Sequence, residues 1–526
     1  MSTPTRAYAE LRQQLLDKHE LALIDVREEA PFALDHPLFA ANIPLSKLEV
    51  EIYARVPRRD TQVTVYDDGE GLAVIAAERL QALGYTDVAL LDGGLAGWRD
   101  AGGELFRDVN VPSKAFGELV ESRRHTPSLA AEEVQALLDE QADVVVLDAR
   151  RFDEYQTMSI PGGISVPGAE LVLRVAELAP DPATRVIVNC AGRTRSIIGT
   201  QSLVNAGIPN PVSALRNGTI GWTLAGQRLA HGQSQRFGEV SPANRQTAAS
   251  RARAVADQAG VARLSREQLQ AWQAEHQRTT YLFDVRTPEE FARGHLPGSR
   301  STPGGQLVQE TDHVASVRGA RLVLIDDDGV RANMSASWLA QMGWQVAVLD
   351  GLSAVDFSET GDWQTPLPVL PQPSFIEPGQ LVQWLEEGET VVLDFTASAN
   401  YVRRHIPGAH WAIRAQLGLA LERLPLAERY VLTCGSSLLA RFAARDLEQL
   451  TRKPVFVLEG GTGRWVAEGR PVESGETHLA VPRSDRYRRP YEGTDNPREA
   501  MQGYLDWEFG LVEQLGRDGT HGFYVI

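Results

Sequence analysis

The segment FDVRTPEEFARGHLPGS, residues 283–299, sets the pattern for the whole chain. It starts at the end of an apolar run, YLF, which is closed by Asp284 and followed by a polar segment. A short apolar run that ends in a polar loop is typical of a buried strand in a parallel sheet. The same arrangement recurs in LALIDVRE, VVVLDARR and VVLDFTA, which close their apolar runs at Asp25, Asp148 and Asp394. The chain therefore contains four copies of one unit.

A second apolar run follows each first run at a nearly fixed distance. The runs VTVYDDGEGLA, VIVNCAGRTRS, LVLIDDDGVRA and VLTCGSSLLA reach their turns at Asp67, Cys190, Asp326 and Cys434. Three of these turns lie 42 residues after the preceding strand-closing aspartate, and the fourth lies 40 residues after it. Helix-like stretches such as SIIGTQSLVNAG come next and end at a glycine suited to a helix C-cap. The spacing indicates that the four turns occupy equivalent places.

A glycine-tryptophan segment completes three of the units. LLDGGLAGW, ALRNGTIGW and VLEGGTGRW end at Trp98, Trp222 and Trp465, whereas the third copy keeps only VLDGL and has no tryptophan there. Each unit is predicted to run strand, helix, strand, loop, helix, strand. This order predicts an α/β fold in which each unit has a mainly parallel sheet with helices on both faces.

The chain of 526 residues is long enough for several domains. Linker-like segments place the expected unit boundaries so that the units cover residues 1–113, 114–240, 241–370 and 371–480, followed by a tail at 481–526. The tail is aromatic and charged, and we expect it to dock across neighbouring units.

Composition narrows the class of protein. The sequence is 43% hydrophobic and 23% charged, which is ordinary for a globular protein, and no apolar run approaches the ~18 residues that span a bilayer. The N-terminus lacks the apolar core of a signal peptide, so we expect a cytoplasmic protein without membrane association. Two cysteines cannot form a disulfide framework, and a net charge of −17 disfavours general nucleic-acid binding.

These motifs together resemble the rhodanese family. Residues 283–299 resemble the first rhodanese signature, NCAGRTRS resembles the active-site loop at the position of the nucleophilic cysteine, and the glycine-tryptophan segments resemble the family's later turn. The resemblance covers about residues 15–475 in four tandem units. It implies a sulfurtransferase that carries sulfane sulfur as a cysteine persulfide without a cofactor. It further implies a small anionic sulfur donor, such as thiosulfate, and a thiol or protein acceptor.

Cys190 is the expected nucleophile. A loop of backbone N–H groups before a helix N-terminus stabilises an anion, so we expect the loop to lower the pKa of this thiol. Two arginines add positive charge for an anionic donor, and Ser196 is expected to cap the following helix. The expected substrate-binding residues are the six that follow the cysteine: Ala191, Gly192, Arg193, Thr194, Arg195 and Ser196.

The other three loops differ from that around Cys190. Asp67 and Asp326 cannot carry a persulfide, so the first and third units are expected to be inactive. The acidic group Asp67, Asp68 and Glu70 is either a solvated turn, which we favour, or a site for a hard metal ion. Cys434 is a second candidate nucleophile, but its loop turns apolar and the six residues after the cysteine include no arginine.

Two alternative functions remain open at this stage. Related-fold phosphatases and arsenate reductases use a cysteine, five residues and an arginine, whereas here the arginines stand three and five residues after Cys190 and Ser196 holds the sixth place. The rhodanese family also includes inactive copies, so the chain could be a non-catalytic scaffold. His295 and His405, in GHLPG and RHIPG, are expected to be structural rather than acid–base residues.

Overall fold

A computed structural model of the chain describes residues 3–526. It contains four five-stranded sheets, one in each unit, and every strand pair is parallel. The spatial order is the same in all four: the first strand lies at one edge, followed by the fifth, fourth, second and third. The predicted α/β fold with four repeated units is confirmed.

The elements of each unit follow one plan, with short 3₁₀ turns in places. The first unit has strands Thr5–Arg6, Ala22–Asp25, Ala41–Asn42, Val63–Tyr66 and Val88–Leu91, and helices Tyr8–Leu16, Glu29–Leu34, Leu45–Lys47 (3₁₀), Leu48–Arg55, Leu72–Ala82 and Gly94–Asp100. The second has strands Ser128–Leu129, Val144–Asp148, Ile164–Ser165, Arg185–Asn189 and Val212–Leu215, and helices Val111–Arg124, Ala131–Asp139, Phe152–Thr157, Gly168–Glu170 (3₁₀), Leu171–Leu178, Thr194–Asn205 and Gly218–Leu224.

The second half of the chain repeats the plan and then adds two helices. The third unit has strands Ala262–Leu264, Thr280–Asp284, Arg300–Ser301, Arg321–Ile325 and Gln345–Leu349, and helices Pro242–Gln258, Arg266–Ala274, Pro288–Arg293, Gly304–Gln309, Thr311–Val314, Arg331–Gln341 and Ala354–Asp356 (3₁₀). The fourth has strands Ser374–Ile376, Thr390–Asp394, His410–Trp411, Arg429–Thr433 and Val455–Leu458, and helices Pro378–Glu387, Ser398–Arg403, Arg414–Gln416 (3₁₀), Leu417–Arg423, Leu438–Glu448 and Gly461–Ala467. The tail forms helices Arg498–Phe509 and Leu511–Asp518.

The strand ends agree with the sequence pattern, whereas the number of strands does not. The second strand of each unit ends at the predicted aspartate, at Asp25, Asp148, Asp284 and Asp394. Each unit has five strands rather than three, because two edge strands of two or three residues add to the predicted ones. Strands this short carry no periodic pattern that a sequence analysis can detect.

Helix Val111–Arg124, called the linker helix below, runs across the predicted boundary at residue 113. It packs on helix Thr194–Asn205 of the second unit and on the tail helix Leu511–Asp518. Nowhere in residues 3–526 does a helix combine the length and the apolar character needed to cross a bilayer.

Buried ion pairs join units that are far apart in sequence. Arg414 of the fourth unit contacts Glu49 of the first unit at 2.7 Å, and both side chains are buried. Arg331 of the third unit contacts Glu170 of the second at 3.0 Å, again with both side chains buried. These pairs fix the units against one another, because separating them would leave charges unpaired.

The tail docks across neighbouring units, as predicted. Tyr487 donates its hydroxyl hydrogen bond to Asp108 at 2.9 Å, beside the linker helix. Further along, Leu511 and Leu515 pack into an apolar cluster with Phe106 of the first unit. The last residue, Ile526, donates its backbone N–H to Gln341 of the third unit at 3.0 Å.

Candidate active site

Cys190 lies at the carboxyl edge of the second unit's sheet. It directly follows strand Arg185–Asn189, and the loop helix Thr194–Asn205 begins four residues later. The neighbouring strand ends at Asp148, whose carboxylate forms a buried ion pair with Arg150 at 2.7 Å and accepts from the Asn189 side chain at 3.2 Å. The strand-closing aspartate thus holds the base of the cysteine loop in place.

The glycine-tryptophan segment supports the loop from the other side. Thr219 donates its backbone N–H to the Cys190 carbonyl at 2.9 Å, and Ile220 donates to the Ala191 carbonyl at 3.0 Å. Gly218 has a φ of +57°, and a Cβ there would stand 2.3 Å from the Cys190 carbonyl oxygen. Only glycine fits this close approach, which explains the motif. Trp222 fixes the segment by donating its Nε1–H to the Arg228 carbonyl at 2.8 Å.

The environment of the Cys190 thiol differs from the expectation. The residue is 1% exposed, and its Sγ–H donates to the Ser196 hydroxyl at 3.4 Å. Burial raises the pKa of Cys190, while Arg195 and Ser196 oppose that rise. The expectation that the loop lowers this pKa is wrong, because the cost of desolvating the thiolate exceeds the gain from nearby donors. Ser196 donates to the Arg193 carbonyl at 2.9 Å within the first helical turn, so it does not cap the helix.

The two arginines of the loop have different surroundings. Arg195 forms a two-pronged ion pair with Glu154, at 2.7 and 2.9 Å, and lines a charged cavity of about 480 Å³ together with Arg150, Arg489 and Tyr491. Burial raises the pKa of Glu154, but Arg195 outweighs burial and holds that pKa at about 2. The carboxylate therefore stays ionised and fixes the guanidinium at the cavity wall.

Arg193 points away from that cavity. Its guanidinium contacts Glu118 at 2.6 Å and Glu121 at 2.7 Å, both on the linker helix, and stacks on Phe509 with 4.3 Å between guanidinium carbon and ring centre. The side chain is thus paired with protein groups. The next residue, Thr194, is buried against Gly117 of the linker helix. A Cβ on Gly117 would stand 3.0 Å from the Thr194 methyl group.

The C-terminal helix, residues Arg498–Phe509, covers the loop from outside the unit. A Cβ on Gly192 would stand 3.1 Å from the Tyr504 ring and 3.5 Å from Glu508 Oε2. Arg498 anchors the start of the helix by donating to the Leu224 carbonyl at 2.6 Å. Sequence reasoning missed these residues, because the tail falls outside the repeat; its aromatic and charged composition was the one available signal.

In the first and third units an aspartate occupies the position of Cys190. In the first unit the Asp67 carboxylate accepts from the backbone N–H of Gly69 at 3.0 Å and of Ala73, six residues on, at 2.9 Å. In the third unit Asp326 accepts from Gly329 at 3.1 Å and from Ala332, again six residues on, at 2.8 Å. In both loops backbone N–H groups therefore donate to a carboxyl group that the chain itself supplies.

No cluster of three or more potential metal-binding side chains occurs within residues 3–526. Two groups of the acidic turn are instead bonded locally, since Asp67 caps the next helix and Glu70 accepts from the Asp68 backbone at 2.6 Å. The favoured interpretation, a solvated acidic turn, fits Asp68 and Glu70, which are exposed, but not Asp67, which is buried.

The Cys434 loop of the fourth unit has fewer groups that stabilise a thiolate than the Cys190 loop of the second unit. The Cys434 thiol is 5% exposed and donates to the Ser436 carbonyl at 3.4 Å. Burial raises its pKa, and backbone N–H groups oppose that rise without help from an arginine. The position equivalent to Arg150 is Thr396, which leaves Asp394 Oδ2 buried without a hydrogen-bond partner among the described residues. The two cysteine loops belong to separate sheets, that of Cys190 to the second unit and that of Cys434 to the fourth.

The two histidines of the GHLPG-type segments have structural contacts. The His295 ring stacks on Phe291 at 3.7 Å between ring centres, and the His405 ring stacks on Tyr401 at 3.9 Å. Each also bonds the backbone carbonyl of the same aromatic residue, at 2.9 and 2.8 Å.

Comparison with known proteins agrees with the repeated architecture. The family model "Rhodanese-like domain" matches residues 8–101, 130–225, 265–352 and 377–468. The chain belongs to the rhodanese family. Its resemblance to this family, inferred above from three motifs in four tandem units, is confirmed.

One solved structure matches the rhodanese chain along its whole length. The crystal structure of a thiosulfate sulfurtransferase from Pseudomonas aeruginosa is 77% identical, covers 99% of this chain and 100% of its own, and superposes with a TM-score of 0.98. Such a match supports the assignment of the chain to the sulfurtransferases.

Two curated relatives match only part of the rhodanese chain. An uncharacterized protein from Synechocystis sp. is 31% identical over 101 residues, which are 19% of this chain and 55% of that protein. An HTH-type transcriptional regulator from Mycobacterium tuberculosis is 32% identical over 93 residues, which are 18% of this chain and 40% of that protein. The chain thus spans about half the length of these relatives or less.

Proposed function

We propose that the chain transfers sulfane sulfur from thiosulfate, or a similar anionic donor, to a thiophilic acceptor through a persulfide on Cys190. The observation that carries this proposal is the second loop itself. Among the four equivalent positions, Cys190 alone combines a thiol, a following helix start and an arginine, Arg195, close enough to oppose the rise in its pKa. Asp67 and Asp326 support it further, because backbone N–H groups of the equivalent loops donate to an oxygen at the position of Cys190.

The cycle has two displacement steps. The Cys190 thiolate attacks the outer sulfur of thiosulfate, a new S–S bond forms, and the old S–S bond breaks with its electron pair leaving on sulfite. The product is a Cys190 persulfide, whose terminal sulfur anion is held by loop N–H groups. An acceptor, such as cyanide or a thiolate, then attacks that terminal sulfur and returns the electron pair to Cys190. This is covalent, ping-pong catalysis by an activated thiol.

Arg195 is assigned the docking of the donor. It stands in the wall of the 480 Å³ cavity and is held there by Glu154, so an anion that enters the cavity meets a fixed guanidinium. A guanidinium is suited to this task because it offers several donors in one plane. Arg193 is assigned the positioning of the loop, since Glu118 and Glu121 already engage it.

The test compares three proteins: wild type, Cys190→Ser and Cys434→Ser. Thiocyanate is measured from thiosulfate and cyanide, with 3-mercaptopyruvate as a second donor, and persulfide is located by mass spectrometry. We expect Cys190→Ser to lose turnover and Cys434→Ser to keep most of it. Persulfide confined to Cys434, or loss of turnover only in Cys434→Ser, would contradict the assignment.

A further inference from the structure

The C-terminal helix brings one carboxyl group to the Cys190 loop. Glu508 is 0% exposed, and its Oε1 accepts a hydrogen bond from the Tyr504 hydroxyl at 2.9 Å. Its Oε2 is buried and has no hydrogen-bond partner within the described part of the chain. That oxygen lies 3.5 Å from the place where a Cβ on Gly192 would stand. A buried, unpartnered oxygen therefore faces the loop that holds the nucleophile.

The cations near Glu508 are already paired. Lys114 of the linker helix contacts Asp108 at 2.6 Å, and Arg193 of the loop contacts Glu118 at 2.6 Å. Both cations act on Glu508 only from a distance, and the charge of Glu118 opposes them. No ion pair thus compensates for ionisation of Glu508 in its buried position.

Other titratable groups lie near Glu508 on each element that packs against it. Tyr504 lies on the same helix, Tyr491 on the segment before it, and Cys190 and Arg195 on the loop, where the charge of Glu508 raises the pKa of Cys190. Burial, followed by the charge of Glu118, raises the pKa of Glu508 to about 8. The carboxyl is accordingly neutral at pH 7.

A neutral carboxyl in this place is a hydrogen-bond donor. Since Oε1 accepts from Tyr504, the proton belongs on Oε2, on the side of Gly192. A neutral donor stabilises an anionic sulfur species in the loop, whereas a carboxylate in the same buried place repels it.

We propose that Glu508 is a specificity-determining residue for sulfur transfer at Cys190: its Oε2–H donates to the anionic donor or persulfide held in the loop, and its ionised form excludes that anion. This inference rests on the proposed function and deepens it by assigning part of the site to the tail. It involves no change in covalent bonds.

The central experiment measures kcat/KM for thiosulfate from pH 7 to pH 9 in wild type and in Glu508→Gln. Glutamine has the same shape, accepts from Tyr504 and donates permanently on the other side. With a midpoint at about pH 8, the neutral fraction of Glu508 falls from about nine-tenths to about one-tenth, so the ratio of wild type to variant should fall about tenfold. Ionised Glu508 also raises the pKa of Cys190 in the wild type only. Each kcat/KM is therefore divided by the thiolate fraction of Cys190, measured by iodoacetamide alkylation of the same protein at the same pH.

A second variant, Tyr504→Phe, tests whether the ionisation of Glu508 causes the fall in activity. Tyr504→Phe removes the hydrogen bond that lowers the pKa of Glu508, so the fall in activity should move to higher pH. A role of Glu508 in folding alone predicts no such movement. A ratio that stays constant within twofold from pH 7 to pH 9, or an unmoved midpoint in Tyr504→Phe, would overturn the proposal.

A charge-sensitive probe separates this proposal from the proposed function. In a Cys434→Ser background, the rates of alkylation of Cys190 by anionic iodoacetate and by neutral iodoacetamide are compared. Their ratio should fall above pH 8 with Glu508 present and stay flat in Glu508→Gln, whether or not the protein transfers sulfur. Absence of a Cys190 persulfide together with this fall would refute sulfur transfer but retain Glu508 as an anion-excluding group. A flat ratio in both proteins would refute the role of Glu508.

Discussion

Replacement of Glu508 by glutamine should stabilise the docked C-terminal helix in a pH-dependent way. The carboxyl is fully buried, and burial raises its pKa from 4.5 to about 8. A carboxyl with a raised pKa in the folded state contributes its full stability below the unfolded value and loses it as pH rises toward the folded value. Wild type should therefore lose stability between pH 4.5 and pH 8, and Glu508→Gln should not.

The magnitude follows from the width of that window. At pH 7 the medium is 2.5 units above 4.5, and each unit corresponds to about 1.4 kcal/mol. The wild-type protein thus loses about 3 kcal/mol relative to the variant between pH 4 and pH 7. This is a large share of the 5–15 kcal/mol by which domains are typically stable.

Hydrogen exchange measured by mass spectrometry on peptides from residues 498–509 reports the opening free energy of this helix. The gap between wild type and Glu508→Gln should widen by about 3 kcal/mol from pH 4 to pH 7. Glu513→Gln is the matched control, because its side chain is 84% exposed in the next helix and no pH-dependent gap is expected. A Glu508→Gln gap that is the same at both pH values would refute the reasoning.

Three further changes test other parts of the structure. Arg195→Ala should raise the KM for thiosulfate by about tenfold with a smaller effect on kcat, because the docking guanidinium is lost. Steady-state kinetics measure both constants, and a fall in kcat alone would contradict the assignment. Gly218→Ala should lower the free energy of unfolding by ~2 kcal/mol or more, because its Cβ would overlap the Cys190 carbonyl. The control Gly226→Ala, at φ +78° with open space around it, should lower it by only ~1 kcal/mol. Equal losses of Tm in the two variants would argue against the clash. Arg414→Met should lower the free energy of unfolding in urea by ~3–5 kcal/mol, since it leaves Glu49 buried without its closest partner. Adding Glu49→Gln to this variant should recover part of the loss. An unchanged urea midpoint in Arg414→Met alone would refute the importance of the pair.

The sequence predicts the repeated core well because its signals are local. Asp148 ends a strand, Cys190 follows the next one, and the spacing of 42 residues repeats wherever the same helix joins the same two strands. Gly218 was recognisable as part of a motif, but its reason, the close approach to the Cys190 carbonyl, appears only when both segments are in place.

The rest of the site depends on contacts between distant parts of the chain. Arg193 carries charge next to the nucleophile in sequence, yet Glu118, 75 residues earlier, engages its guanidinium. Glu508 stands more than 300 residues after Cys190 and belongs to no repeat. Nothing in the local sequence indicates that Cys190 is buried, and burial is the main cause that raises its pKa.

The docked tail is synthesised long after the cysteine loop that it covers. A ribosome adds about 5–20 residues per second. Roughly 15 to 60 s therefore pass between the synthesis of Gly192 and that of Tyr504 and Glu508, which cover it. Throughout that interval the second unit lacks the helix that covers Gly192 in the finished site. A nascent chain that stops before residue 498 leaves Gly192 without this cover and lacks the proposed donor on Glu508. The loop in the second fifth of these 526 residues is therefore covered only after the last fifth has been made.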